Sequence, residues 1–294
     1  MKETFRREAP AKINLALDIL GKRPDGYHNL ETLFYPVGVY AGSAENPESF
    51  GDVLEITPVD TPGFRVEMRG RAVDCPLDKN LVYKAAKLYF DELATPGFGA
   101  RIVLEKHLPD GAGLGGGSAD AAFTLKGLSE LDADADDETL ARLALRLGAD
   151  CPFFIYNRPM YAEGVGELLE PAPGIDLKGC WITIVKPRIY ISTKEAFAGI
   201  HCRPSETDLR KLAGKPLDDY RSVAVNDFEA SVFPAHPELP AIKRRLYDMG
   251  AKYASMSGSG SSIYGIFTDC ELAATARREF MHDGTIEASY LLKM

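Results

Sequence analysis

Residues 109–122 read PDGAGLGGGSADAA, with five glycines in fourteen positions and a helix-forming run directly behind them. Glycine loses more conformational freedom on folding than any other residue. Such a cluster is kept where the backbone must turn sharply or where something must approach its amides. GAGLGG at 111–116 formally matches G-x-G-x-x-G. A dinucleotide fold would then need a strand ending in an acidic residue about 20 residues on, but DADADDETL leads into another helix. A Walker A loop needs a lysine after the glycines, and none follows. Converging backbone N–H groups at the start of a helix still suit an anion. A tight junction without a ligand is the alternative reading of the glycines alone.

Outward from this stretch the chain alternates strands and helices. AKINLALDIL reads as a strand, with Ile13, Leu15 and Leu17 on one side and Lys12, Asn14 and Ala16 on the other. Pro24, Asp25 and Gly26 mark a turn. Strands are expected in ETLFYPVGVY, DVLEITPV, FRVEM and ARIVLEKHL. A helix is expected in DKNLVYKAAKLYFDEL with Asp78 as its cap, another from about Ser118, and a third in DDETLARLALRLG capped by Asp136. CWITIVKP, AKYASMS, IYGIFT and EASYLLKM read as later strands, and ELAATARREF as a helix. The pattern is α+β. Two domains are expected, 1–160 and 161–285, with the last strand, 286–294, able to return to the first.

The 294 residues are 45% hydrophobic and 26% charged, with a formal net charge of −9. No basic block offers the footprint of a duplex nucleic-acid binder; Lys243-Arg244-Arg245 is short and sits in helix-like sequence. No run approaches the roughly 18 apolar residues of a membrane span, and the start of the chain does not resemble a signal peptide. Five scattered cysteines without a C-x-x-C pair argue against a disulfide scaffold and a structural zinc site. A cytoplasmic setting is expected.

PDGAGLGGGSADAA resembles the phosphate-binding motif of the GHMP kinases. PAKINLALDI at 10–19 is similar to the N-terminal motif of that family, and SMSGSGSSIYGIF at 255–267 to its C-terminal glycine motif. Three further stretches, KRPDGYHNLETLF, LGADCPFF and AEGVGE, resemble the branch of the family that phosphorylates a hydroxyl of a cytidine-diphosphate-linked methylerythritol. The resemblance implies a two-domain kinase with its active site in the cleft between the domains, ATP and Mg²⁺ as cofactors, and no nucleic-acid or membrane partner, as a monomer or homodimer. It assigns the ATP phosphates to Pro109, Gly111, Gly113, Leu114, Gly115, Gly116, Gly117 and Ser118, with Ser118 also facing the metal. Asn80 and Lys106 match positions near the adenine.

Asp150, in LGADCPFF, corresponds to the catalytic base, and Lys12, in PAKINL, to the catalytic lysine. By residue pattern alone Asp150 is a turn former and Lys12 a solvated strand residue. Tyr27, His28 and Phe197 are carried to the cytosine, Tyr27 and Phe197 on its faces and His28 on its edge. Asn14 is expected to orient the substrate, and Gly258, Ser259 and Gly260 to close on its phosphates. The insertion-like 44–51 and the stretch 203–222 touch no motif. Two other readings remain beside this one. The first is a kinase of the same superfamily acting on mevalonate-type or sugar substrates. The second is a non-catalytic nucleotide-binding protein, against which the net charge and the simultaneous presence of Lys12 and Asp150 weigh.

Overall fold

The computed structural model describes residues 3–38, 50–202 and 208–294; 44–49 and 203–207, from the two stretches set apart above, lie outside the described residues. In chain order the strands are β1 (Phe5–Ala9), β2 (Ala11–Lys22), β3 (His28–Val37), β4 (Asp52–Pro58), β5 (Gly63–Gly70), β6 (Gly99–Lys106), β7 (Met160–Glu163), β8 (Leu168–Pro171), β9 (Trp181–Pro187), β10 (Tyr253–Met256), β11 (Ile263–Phe267) and β12 (Ile286–Lys293). The helices are α1 (Leu81–Glu92), α2 (Gly116–Leu131), α3 (Asp137–Leu145), α4 (Cys151–Tyr156), α5 (Thr193–Ala198), α6 (Leu217–Val223), α7 (Asp227–Val232), α8 (Glu238–Asp248) and α9 (Cys270–Met281). The architecture is α+β, as the pattern indicated.

The described residues of Met1–Ala11, Ser49–Asp110 and Gly115–Arg158 form one compact unit; those of Lys12–Glu48, Gly111–Leu114 and Pro159–Met294 form a second. This differs from a cut at residue 160. The β2–β3 pair shares a sheet with β7 and β8, so strand pairing carries residues 12–37 into the second unit. The last strand, β12, pairs antiparallel with β9 and stays in the second unit rather than returning to the first.

In the first unit the sheet order is β1-β4-β6-β5, with β5 and β6 parallel and the other pairs antiparallel. β1 is missed by sequence pattern because FRREA carries two exposed arginines between buried ends. α2 packs on β1 and β4, and α1 lies beside α2 and β5. Asn80, not Asp78, caps α1: its side chain accepts from Val82 N at 2.8 Å, while Asp78 falls in a short 3-10 turn before it. Asp136 caps α3 as read, accepting from Thr139 N at 2.8 Å. α2 starts at Gly116, two residues before Ser118, because Gly115 in the left-handed conformation supplies its N-cap.

A buried ion cluster ties this unit together. The Lys106 ammonium contacts the carboxylates of Asp52 on β4 and Asp120 on α2, and all three side chains are almost fully buried. Asp52 also accepts from His107 N at 2.6 Å and Leu108 N at 2.9 Å, which holds the chain entering the glycine stretch. Burial acts against the Lys106 ammonium, but the Asp120 and Asp52 carboxylates outweigh it and raise its pKa. Burial pushes the Asp120 carboxyl well up; Lys106 opposes the shift and Asp52 adds to it.

The second unit has two sheets, β2-β3-β7-β8 and β10-β11-β9-β12. α8 and α9 cover one side of the latter around Leu246, Ile263, Phe267 and Phe280, all fully buried. Each such side chain contributes about 1.5–3 kcal/mol relative to exposure. β2 is an edge strand, and its outer polar groups are paired individually. Tyr264 Oη donates to Asn14 O at 2.8 Å, Tyr253 Oη to Leu15 O at 2.6 Å, and Leu17 N donates to Val225 O at 2.7 Å. Both side-chain rows of β2 are therefore buried from Ala11 to Ile19.

Replacing Lys106 with methionine removes the cation between two buried carboxylates. Breaking a buried pair on one side costs about 3–5 kcal/mol. Urea unfolding of Lys106→Met is expected to show a loss of that order, with a change under about 1 kcal/mol counting against the cluster as a support of the fold.

Candidate active site

The polar row of β2 is a hydrogen-bonded chain rather than a solvated face. Lys12 is 4% and Asn14 1% exposed. Lys12 Nζ donates to Asn14 Oδ1 at 2.6 Å, Asn14 Nδ2 donates to Thr32 Oγ1 at 2.8 Å, and Thr32 Oγ1 donates to Ala16 O at 2.6 Å. The ammonium also lies 5.1 Å from the centroid of the Phe34 ring, an arrangement that favours a cation. The solvated-strand alternative for Lys12 thus falls away. A buried ammonium needs partners, and this one is turned toward Gly258, where a Cβ would stand 3.4 Å from Lys12 Nζ and 3.4 Å from Asn14 Oδ1.

Three successive carbonyls of the first glycine stretch, in the part that belongs to the second unit, are taken within that unit. Ala112 O accepts from Ser262 N at 3.2 Å, Gly113 O from Ser257 Oγ at 2.8 Å, and Leu114 O from Lys12 N at 2.8 Å. In a planar trans peptide the N–H points opposite to the C=O. Committing these carbonyls turns the N–H groups of Gly113, Leu114 and Gly115 the other way, as an anion nest requires. The clamp also explains a glycine. Gly113 has φ +73°, and a Cβ there would stand 2.0 Å from the backbone oxygen of Ser257.

The second glycine turn is held in its own way. Asn226 Nδ2 donates to Met256 O and to Gly258 O, both at 2.8 Å, and Asn226 Oδ1 caps α7 through Phe228 N at 3.0 Å. Glu229 accepts from Ser255 Oγ at 3.0 Å and from Met256 N at 2.9 Å. Ser257, Gly258 and Gly260 are buried, and Ser259 is half-buried. Sequence reading missed Asn226, Glu229 and Thr32. The N-cap pattern of Asn226 ahead of DFEA was the available signal for the first.

In the first unit, burial pushes the Cys151 thiol up to about 12, with the nearby Ser118 hydroxyl acting against the shift. Asp150 occupies the N-cap position of α4, yet its carboxylate makes no capping bond, and it is half-buried. Asn80 lines a cleft of about 290 Å³ with Met68, Gly70, Val73 and Leu77. Lys106 does not line it; its ammonium is committed to Asp52 and Asp120. Pro109 and Leu114 are buried. Among the described residues, no group of three or more His, Cys, Asp or Glu is arranged to hold a metal. No described helix is long and apolar enough to cross a membrane.

The aromatic residues lie in the second unit. Tyr27 is 65% exposed. The His28 ring stacks on Phe197 with centroids 4.5 Å apart at 18°, and the edge of Phe228 meets Phe197 at 4.9 Å and 82°. One face of Phe197 is thus covered by His28 itself. Burial, and then the positive charge of Lys22, lower the His28 pKa, so the imidazole stays neutral to a lower pH than usual.

Asn226→Asp keeps the size of the side chain and the cap, but sets a carboxylate oxygen against the carbonyls of Met256 and Gly258. A buried unsatisfied group costs about 1–3 kcal/mol, more when charged. A drop of about 2–3 kcal/mol is expected in urea unfolding, and an unchanged midpoint would remove Asn226 as the support of the turn.

Comparison with known proteins finds relatives over most of the chain. Residues 80–158 match the GHMP kinases N terminal domain and residues 203–283 the GHMP kinases C terminal domain. The 4-diphosphocytidyl-2-C-methyl-D-erythritol kinase of Bacteroides thetaiotaomicron is 47% identical over 260 residues, covering 87% of this chain and 90% of that protein. The protein of the same name from Pelobacter propionicus is 37% identical over 278 residues, 93% of each. A crystal structure of 4-(cytidine 5'-diphospho)-2C-methyl-D-erythritol kinase superposes with a TM-score of 0.79 at 32% identity, over 98% of both chains. A homoserine kinase from Cytophaga hutchinsonii, at 21% identity and a TM-score of 0.74, shares the fold. With its glycine turns, its buried strand lysine and these relatives over most of its length, the chain belongs to the GHMP kinase family, in the group of 4-diphosphocytidyl-2-C-methyl-D-erythritol kinases.

Proposed function

We propose that the protein transfers the γ-phosphoryl group of ATP to the 2-hydroxyl of 4-diphosphocytidyl-2-C-methyl-D-erythritol, a step of non-mevalonate isoprenoid synthesis. The observation that carries this reading is the clamped glycine stretch, whose three inward carbonyls leave outward amides for a polyphosphate. Phosphoryl transfer asks a protein mainly for positioning and charge stabilisation. The amides from Gly111 to Gly117 and the positive end of α2 hold the ATP phosphates. The adenine takes the cleft beside Asn80. Lys106 serves that nucleotide indirectly, by fixing the chain that enters the loop.

Asp150 accepts the proton of the acceptor hydroxyl, and Lys12 stabilises the negative charge that develops on the oxygens. Asn14 holds the Lys12 ammonium and orients the acceptor. A magnesium ion, by its charge, would neutralise the phosphate oxygens. The residues fit an ion carried in by the nucleotide: Ser118 offers one hydroxyl, and Mg²⁺ commonly relies on substrate phosphates and water for its other ligands.

The cytosine lies between Tyr27 and Phe197. His28 must leave the Phe197 face and meet the polar edge of the base. Magnitudes allow this exchange: an aromatic pair is worth about 0.5–1.5 kcal/mol, and a base on an aromatic ring about 1–3 kcal/mol. A neutral imidazole then accepts from the cytosine amino group.

Asp150→Asn is expected to cut single-turnover rate by ~10²–10⁴ with ATP affinity little changed; a fall of less than about tenfold would remove it as the base. Tyr27→Ala should raise KM for the cytidine substrate by about 5–150-fold and leave KM for ATP unchanged, whereas an equal rise in both would mark a general structural role. Because the His28 pKa is lowered, the cytidine-substrate KM should stay flat down to about pH 6.5 and rise only below it. A rise beginning above that pH would contradict a neutral His28 at the base edge.

A further inference from the structure

The segment after β9 is anchored with unusual care for a connection. The buried Lys186 ammonium donates to Pro187 O at 2.8 Å and to Ile189 O at 2.9 Å, with Glu287 at 3.5 Å. Ile189 O also accepts from Ser261 Oγ at 2.5 Å, in the second glycine turn. Ile191 on the far side packs toward Gly260, where a Cβ would stand 3.2 Å from Ile191 Cδ1. Two buried donors on one carbonyl fix the backbone on the N-terminal side of Tyr190, and packing fixes it on the other.

What this anchoring presents is an exposed aromatic ring. Tyr190 is 73% exposed, so core burial does not account for it. Its ring lies against Gly111, the first glycine of the phosphate stretch: a Cβ on Gly111 would stand 2.7 Å from Tyr190 Cε2 and 3.0 Å from Cδ2. Gly111 has φ +60°, a conformation glycine adopts without the Cβ penalty. The ring thus lies along the loop backbone by its Cδ2–Cε2 edge, beside the glycine stretch.

We infer that Tyr190 is a further phosphate-binding residue, whose hydroxyl donates to a non-bridging oxygen of a diphosphate held at Gly111. The inference rests on the reading of that stretch as a polyphosphate nest. Two sources carry this chemistry, the ATP phosphates and the diphosphate of the cytidine substrate. Sequence reading passed over Tyr190 because it lies between motifs, in PRIYIS.

The test is Tyr190→Phe, which removes only the hydroxyl and keeps the ring on Gly111. Calorimetric titration with ADP and, separately, with CDP reads the two sources without turnover. Affinity for one of the two is expected to fall about tenfold, as for a hydrogen bond to a charged group, with the melting temperature and kcat unchanged. The KM of the matching substrate should rise by the same factor. Unchanged affinity for both diphosphates would overturn the inference, as would a parallel loss of both accompanied by a lower melting temperature. Failure of the unsubstituted protein to phosphorylate the cytidine substrate, with ADP and CDP still bound, would strike the kinase reading alone. If the unsubstituted protein bound neither diphosphate, both would fall.

Discussion

Within the second unit the carbonyls of Ala112, Gly113 and Leu114 are all hydrogen-bonded, to Ser262, Ser257 and Lys12. The rest of the site follows from that constraint. A buried carbonyl without a donor is costly, so the loop has one way to lie, and its amides then face the opposite side. The constraint also sets composition. A backbone pressed against Ser257 O leaves no room for a Cβ at position 113. Glycine is there for close approach as much as for turning.

β2 links this clamp to the buried Lys12 ammonium. It is an edge strand whose outer groups are paired by tyrosine hydroxyls and by loop backbone rather than by another strand. Covering that edge buries both rows of its side chains. Lys12 is held in place by Asn14 and Phe34, and its backbone N–H is itself one arm of the clamp. One residue thus supplies a loop anchor through its main chain and a positioned cation through its side chain.

The first unit solves the matching problem at the other end of the glycine stretch. Asp52 holds the two N–H groups that lead into it, and Lys106 joins Asp52 to Asp120 on the helix that leads out. Entry and exit are therefore pinned to one buried cluster. A buried ion cluster is an expensive way to stabilise a fold. Its use here is geometric, since it fixes the start of α2 against β4 and β6.

Much of this was legible in the amino-acid order. The glycine stretch, the strand around Lys12, the cap of α3 and the late strands announce themselves through local spacing, because periodicity and turn chemistry act between near neighbours. The β1 strand was hidden by its exposed arginines, and the α1 cap was displaced from Asp78 to Asn80 because a 3-10 turn intervenes. The sequence by itself determined which residues share a side of an element. Only the tertiary structure decided what covers that side: that Lys12 is buried, that Lys106 pairs with Asp52 far behind it in the chain, that Asn226 reaches the second glycine turn, and that Tyr190 rests on Gly111. The reason is physical, since periodicity records the face a side chain takes, whereas its partners are chosen by packing between elements distant in sequence.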